Sequence, residues 1–168
     1  MGSSSSPDAL DERLQVRHSD THQPPNPDCS QSSLIDPFPN GCLTAPEHLS
    51  RFWGPDGTTT PADGITVDLR PGGAFETTMV SVADGSEYTM RAMFLTVERP
   101  GRLSWTEPDV EGGMITTITF TDIGDGRTEV VTHQTNVPAA FTSPEARRGF
   151  ETSLRRFDDY VAELTAAG

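Results

Sequence analysis

The side chains that could carry acid–base chemistry are scattered along this chain and fall in no motif that fixes their roles. Five are candidates: Tyr88, Arg91, Glu107, Asp109 and His133. In an enzyme, Arg91 or His133 would polarise a carbonyl group. A histidine on a strand is more often structural, however, and acidic residues after a strand, such as Glu107 and Asp109, usually form a solvated turn. The sequence therefore favours a protein without catalytic residues.

Signatures of other chemistries are missing or weak. The sequence has no Gly-x-Ser-x-Gly elbow, no phosphate-binding loop and no dinucleotide fingerprint. It has no lysine, which excludes Schiff-base catalysis by a lysine side chain. His18 and His22 have a usable ligand spacing, but twelve residues separate Cys29 from Cys42 instead of the roughly two to four of structural zinc sites. We therefore predict neither a metal nor a cofactor.

The charge of the chain limits its partners. Its 168 residues include 25 acidic and 12 basic ones, which gives a formal net charge of -13. Such a chain repels phosphate backbones and anionic lipids, so we predict that it binds neither nucleic acid nor membranes. No apolar run approaches the ~18 residues of a membrane span, and the first ten residues lack the basic and apolar regions of a signal peptide. We expect a cytoplasmic protein with two reduced cysteines.

Two regions of different character follow one another along the chain. Residues 1–43 hold six of the fourteen prolines and show no sustained periodicity, so we expect an irregular segment that is either disordered or aberrant, as a reading-frame error or a diverged insertion would make it. Within it, the alternation over Leu14 to His18 predicts a short strand. Residues 44–168 are expected to form one domain.

The elements of that domain are a short helix, a series of strands and a long helix. Thr44 and Glu47 form a capping-box pattern, which predicts a helix over residues 45–53. The pairs Asp84-Gly85 and Asp125-Gly126 indicate tight hairpins. Strands are predicted over Ile65 to Leu69, Ala74 to Val82, Glu87 to Val97, Leu103 to Thr106, Met114 to Thr121 and Thr128 to Thr135.

The last helix has a clear apolar face. Ser143 is a good N-cap, Pro144 suits the first helical position, and apolar residues recur at spacings of four, three, four and three. They are Phe150, Leu154, Phe157, Val161 and Leu164. Such a helix can cover the apolar face of an antiparallel sheet, which predicts an α+β fold.

Alternation along the strands predicts which side chains face this helix. On the strand over residues 87–97, one phase places Met93, Leu95 and Val97 inward together with Arg91, whereas a shift of one residue turns Tyr88, Met90 and Phe94 inward. An apolar cavity there could take a ligand whose polar end is oriented by Arg91 or Gln134. Taking the first phase, we expect the ligand-binding residues to be Trp53, Arg91, Met93, Leu95, Trp105, Met114, Ile118, Gln134, Phe150 and Leu154.

Four ordered motifs resemble a known family. They are PEHLSRFWGP (residues 46–55), VDLRPGGAFE (67–76), VADGSEY (82–88) and VERPGRLSWTE (97–107). They are similar to bacterial single-domain homologues of the C-terminal domain of the Hsp90 ATPase activator, within the START-like (SRPBCC, birch-pollen-allergen-like) superfamily. Two later segments, TFTDIGDGRTEVVTHQ (119–134) and GFETSLRRFDDYVAEL (149–164), continue the match in the expected order, so the resemblance covers residues 44–164.

The resemblance implies a helix-grip fold, in which a curved antiparallel sheet wraps around a long C-terminal helix and leaves a cavity between them. The apolar inward faces and the absence of a fixed catalytic set favour a non-catalytic domain that binds a small hydrophobic molecule. The family name adds a stress or chaperone-associated role, with a chaperone as the corresponding partner. The alternative is a polyketide cyclase/dehydratase-like enzyme that uses the same cavity. The sequence leaves open whether the chain is a monomer or a homodimer.

Overall fold

The computed structural model describes residues 10–17, 41–124 and 127–166. Within these ranges the α-helices are α1 (Pro46–Phe52) and α2 (Pro144–Ala166), and short 3₁₀ turns lie at Ala62–Gly64 and Ala139–Thr142. The strands are β1 (Leu10–Arg17), β2 (Thr58–Thr59), β3 (Ile65–Val67), β4 (Ala74–Ser81), β5 (Glu87–Glu98), β6 (Arg102–Glu107), β7 (Met114–Gly124) and β8 (Arg127–Thr135).

These strands form one antiparallel sheet in the order β1-β8-β7-β6-β5-β4-β2, and β3 also pairs with β4. The sheet curls around the C-terminal helix, which confirms the predicted α+β helix-grip fold. The meander from β4 to β8 follows the chain order, because short turns can join antiparallel neighbours. No helix in the described part of the chain is long and apolar enough to span a membrane.

A hairpin joins β4 and β5 at Asp84-Gly85, as predicted, but its turn is not the predicted tight one: four residues, 82–85, lie between the paired Ser81 and Ser86. Gly85 has a φ of 72°, which a glycine adopts without steric cost, and the Ser81 N–H donates to the Ser86 carbonyl. The Asp84 carboxylate accepts hydrogen bonds from the Ser86 backbone N–H and from the Ser86 hydroxyl. These bonds, with one from the Ser81 side chain, lower the pKa of Asp84 to about 2. The second predicted pair, Asp125-Gly126, lies outside the described residues.

The sheet extends into the N-terminal segment. The strand predicted around Leu14 is confirmed as β1, which pairs with β8 so that Leu14 lies opposite Val130. At least this part of the segment expected to be irregular is therefore regular structure. The rest of that prediction, on residues 1–9 and 18–40, lies outside the described residues, as do His18, His22 and Cys29.

The short helix forms where it was predicted, but its start differs in detail. The N-cap residue is Ala45, which makes no side-chain capping bond, and Pro46 stands in the first turn. The Thr44 hydroxyl donates instead to the carbonyl of Gly41, at 3.4 Å. The predicted capping box is therefore wrong, because Thr44 belongs to the preceding turn and not to the helix.

The long helix begins as predicted. The Ser143 hydroxyl accepts a hydrogen bond from the Ala146 backbone N–H at 3.1 Å, which is the geometry of an N-cap. Its apolar face divides into two halves: Phe157 and Val161 are buried in the core, whereas Phe150 and Leu154 are only half-buried. The first half of α2 thus leaves space between itself and the sheet.

The predicted orientation of β5 is wrong over most of the strand. Met90 and Phe94 are 7% and 1% exposed, whereas Met93 and Leu95 are 41% and 40% exposed, and Arg91 is exposed as well. The pairing of β5 with β6 shifts register between Phe94 and Thr96. Such a bulge inserts one residue and reverses the alternation beyond it, which is why Val97 again packs against the core.

Candidate functional site

A cavity of about 740 Å³ lies between the first half of α2 and the inner face of the sheet. Strands β5 to β8 supply its floor, and α1 with the loop after it supplies one wall. Most of its lining is aromatic, aliphatic or methionine side chain. This size and this character are typical of sites for small organic molecules.

Seven of the ten predicted ligand-binding residues line this cavity. They are Trp53, Trp105, Met114, Ile118, Gln134, Phe150 and Leu154. The other three, Arg91, Met93 and Leu95, lie on the outer face of β5. Before the bulge beyond Phe94, the even-numbered residues of this strand face inward, so the odd-numbered residues face outward. Met79 also lines the cavity, although no pattern in the sequence pointed to it. Met90, which the alternative phase of this strand turns inward, and Phe157, on the predicted apolar face of the last helix, line it as well.

Trp53 joins the cavity wall to the core. Its indole Nε1 donates to the hydroxyl of the buried Thr77 at 3.0 Å. Its ring lies with its centroid 5.3 Å from that of Phe75 and 6.3 Å from that of Trp105. Trp53 is therefore a fixed packing residue whose remaining surface faces the cavity.

The loop after α1 forms part of the cavity rim and is held by α2. Gly54 has a φ of +96°, and a Cβ there would lie 2.7 Å from the Thr58 hydroxyl and 2.9 Å from the Met79 sulfur. Only glycine fits this close approach. The Arg156 guanidinium donates to the carbonyls of Gly54 and Pro55 at 2.7 and 2.9 Å. These bonds fix the rim relative to the helix.

The variant Arg156→Met is expected to lower the free energy of unfolding by about 2 kcal/mol, because two carbonyls lose a charged donor while the apolar part of the side chain is kept. The control is Arg148→Met on the same helix, where the exposed pair with Glu145 contributes less than about 0.5 kcal/mol. Urea unfolding followed by tryptophan fluorescence measures both. Equal losses in the two variants would show that Arg156 does not hold the rim.

Glu107 is the ionisable group buried most deeply in the cavity lining. It ends β6, is 6% exposed and lies opposite Met114 on β7. Burial raises the pKa of its carboxyl from 4.5 to about 7. The expectation of a solvated turn is wrong for Glu107, which still belongs to the strand, whereas Asp109 is exposed in the loop.

Trp105 lies beside this carboxyl. Residues two apart on a strand share a face, and Trp105 and Glu107 both line the cavity. The indole partly offsets the effect of burial by lowering the pKa of Glu107. Yet Trp105 is 5% exposed, and its Nε1 has no hydrogen-bond partner with acceptable geometry among the described residues. The two groups are therefore close neighbours that do not form a well-directed hydrogen bond.

Other polar groups border this end of the cavity. Gln134 donates from its Nε2 to the hydroxyl of Thr116 at 3.1 Å, so this amide is already engaged with the sheet. Tyr88 also lines the cavity although it is half exposed, and desolvation, with the negative charge of Glu107, raises the pKa of its phenol.

The two residues proposed for an enzyme lie elsewhere. Arg91 and His133 are exposed and do not line the cavity. The hypothesis that Arg91 or His133 polarises a carbonyl group bound in the cavity is therefore wrong. Across the described residues, no group of three or more histidine, cysteine, aspartate or glutamate side chains could hold a metal ion.

Comparison with known proteins identifies relatives of this chain. The profile of the family described as "Activator of Hsp90 ATPase homolog 1-like protein" matches residues 41–162. No protein with a curated description matches the sequence.

Solved structures share the fold at low sequence identity. A protein from Chromobacterium violaceum is 21% identical, with 92% of this chain and 98% of that chain covered and a TM-score of 0.69. A protein from Rhodobacter sphaeroides is 17% identical, with 95% of each chain covered and a TM-score of 0.71. An AHSA1-like protein from Aeromonas hydrophila is 19% identical, with 92% and 94% covered and a TM-score of 0.66. With the family match over most of its length, this chain belongs to the family of Activator of Hsp90 ATPase homolog 1-like proteins.

Proposed function

We propose that this protein binds a small, mainly hydrophobic molecule in the cavity between α2 and the sheet. The observation that carries the proposal is the cavity itself, about 740 Å³ in volume and lined mostly by apolar side chains. A space of this size is far larger than the voids left by imperfect packing of a core.

The lining suits an apolar ligand of variable shape. Met79, Met90 and Met114 all border the cavity, and the methionine side chain adapts to irregular surfaces. Trp105 and Phe150 add aromatic surface on opposite sides, one on the sheet and one on the helix. Apolar area removed from water on both sides of the ligand would supply most of the binding free energy.

A neutral fluorescent probe tests the proposal. N-phenyl-1-naphthylamine is expected to bind the wild-type chain and to fluoresce strongly, and Leu154→Trp, which fills the cavity from the helix, is expected to weaken binding at least tenfold, by roughly 1.4 kcal/mol or more. The control is Leu95→Trp, which adds the same side chain to the outer face of β5. Equal probe affinity in both variants would contradict binding in this cavity.

A second candidate function is an acid–base enzyme acting on an apolar substrate in the same cavity, such as a polyketide cyclase/dehydratase-like enzyme. Glu107 favours it, because a buried carboxyl whose pKa lies near 7 is typical of a catalytic acid or base. Turnover of a candidate substrate should be abolished in Glu107→Gln if the protein is an enzyme. If it is a binding protein, the same variant should change only the affinity.

The family description names an activator of the Hsp90 ATPase, which suggests a chaperone-associated role. We propose this role on the description alone, and assign no residue of the chain to it. Adding the purified chain to Hsp90 should stimulate ATP hydrolysis if the role is correct. An unchanged rate, with and without a bound cavity ligand, would exclude direct activation.

A further inference from the structure

We propose that the corner of the cavity formed by Trp105 and Glu107 recognises a hydroxyl group, so that the cavity selects hydroxylated apolar molecules, such as aryl alcohols, over plain hydrocarbons. This inference rests on the proposed ligand binding and names the ligand's chemical class.

The first observation is a buried donor without an acceptor. Trp105 is 5% exposed, and its Nε1 has no hydrogen-bond partner among the described residues. The other tryptophan, Trp53, donates to the Thr77 hydroxyl, so the chain does supply an acceptor where the indole has a purely structural role. Buried polar groups are almost always hydrogen-bonded in native proteins. The indole lies beside the Glu107 carboxyl, whose pKa it lowers, but makes no well-directed bond with it. Nε1 is closed to solvent in this structure, so a ligand oxygen completes its bonding once neighbouring side chains shift to admit it.

The second observation is a buried acceptor next to that donor. Glu107 is 6% exposed and forms no ion pair with a described arginine or histidine. An ionised carboxylate can only accept hydrogen bonds. Above its pKa of about 7 Glu107 is ionised, and a ligand that approaches it in that state must bring a hydrogen-bond donor.

A hydroxyl group satisfies both residues with one oxygen atom. Its lone pairs can accept from the Trp105 Nε1–H while its proton is donated to the Glu107 carboxylate. An ether or a ketone oxygen would leave Glu107 without a donor, and an ammonium group would leave Trp105 without an acceptor. Because Met114 lies opposite Glu107 and Trp53 lies beside Trp105, the rest of the ligand meets apolar surface.

A matched pair of small probes tests this selectivity. At pH 8, above the pKa of Glu107, 2-naphthol and 2-methylnaphthalene are compared as competitors of N-phenyl-1-naphthylamine. We expect 2-naphthol to bind the wild-type chain at least about tenfold more tightly, although it is the less hydrophobic of the two. In Glu107→Met, which keeps the length of the side chain but removes the acceptor, this preference should disappear.

An NMR measurement on the wild-type chain avoids any loss of folding in a variant. The chain has two tryptophans and therefore two indole N–H signals, which Trp53→Phe assigns. Binding of 2-naphthol should move the Trp105 signal downfield, whereas 2-methylnaphthalene should not, and the signal of Trp53 should move little with either probe.

The outcomes separate this inference from the proposed function. Equal affinity of the two probes, or a Trp105 signal that responds alike to both, would overturn hydroxyl recognition while leaving apolar binding in place. If neither compound displaces the fluorescent probe and neither moves an indole signal, the cavity does not bind such molecules and both proposals fail.

Discussion

Replacing Phe94 by alanine is expected to lower the free energy of unfolding by about 3–5 kcal/mol, which is the usual cost of removing a fully buried aromatic side chain. Phe94 is 1% exposed, stacks on Phe75 with ring centroids 5.3 Å apart and meets the edge of Trp105 at 6.5 Å. Its removal leaves a void under the cavity floor that rigid strands cannot close. Chemical denaturation measures the loss.

The neighbouring residue on the same strand provides the control. Leu95 is 40% exposed on the outer face, so Leu95→Ala is expected to cost no more than about 0.5 kcal/mol. The two substitutions together test the orientation of β5. A large loss for Leu95→Ala with a small one for Phe94→Ala would mean that the strand faces the other way.

Replacing Glu107 by glutamine is expected to change how stability depends on pH. Burial raises the pKa of Glu107 in the folded chain from 4.5 to about 7, so between these values the folded state holds a proton that the unfolded state has released. The wild type therefore loses stability as the pH rises from about 4.5 to about 7, by roughly 3 kcal/mol at most. Glutamine stays neutral, so Glu107→Gln should lack this loss and become the relatively more stable chain above pH 7.

Urea unfolding of both chains at pH 4.5, 6 and 8 measures the effect as a difference, in which the contributions of other ionisable groups cancel. Glu111→Gln removes the same charge from the exposed loop after β6 and serves as the control. A wild type and a Glu107→Gln variant whose stabilities run parallel across this range would show that Glu107 is not buried in the folded chain.

The fold could be predicted from sequence because its signals are local. Ser143 with Pro144 marks the start of α2, Asp84-Gly85 marks the first hairpin, and the apolar spacing from Phe150 to Val161 shows which side of the helix is covered. Each of these signals depends only on residues that are close together in the sequence, so it can be recognised without knowledge of the tertiary structure. The pairing of β1 with β8 joins residues more than a hundred positions apart, and only the short alternation around Leu14 pointed to it.

The site was harder to predict because it depends on the register between strands. The bulge after Phe94 reverses the alternation of β5, and nothing in the local sequence marks it. Alternation alone therefore leaves two phases open, and the phase that turns Arg91, Met93 and Leu95 inward is wrong. The sequence predicts a solvated turn for Glu107 because Asp109 and Glu111 follow it, and such an acidic run is typical of a loop. Its burial arises from pairing with Met114 on β7, which is a tertiary contact.

The central claim, that the cavity under α2 is the ligand site, is tested most directly by methionine methyl signals. The chain has five methionines, of which Met79, Met90 and Met114 line the cavity and Met93 lies on the outer face of β5. With ¹³C-methyl methionine and bound N-phenyl-1-naphthylamine, nuclear Overhauser contacts should connect the probe to cavity methyl groups and not to Met93. Contacts to Met93 without any to Met79, Met90 or Met114 would contradict the account.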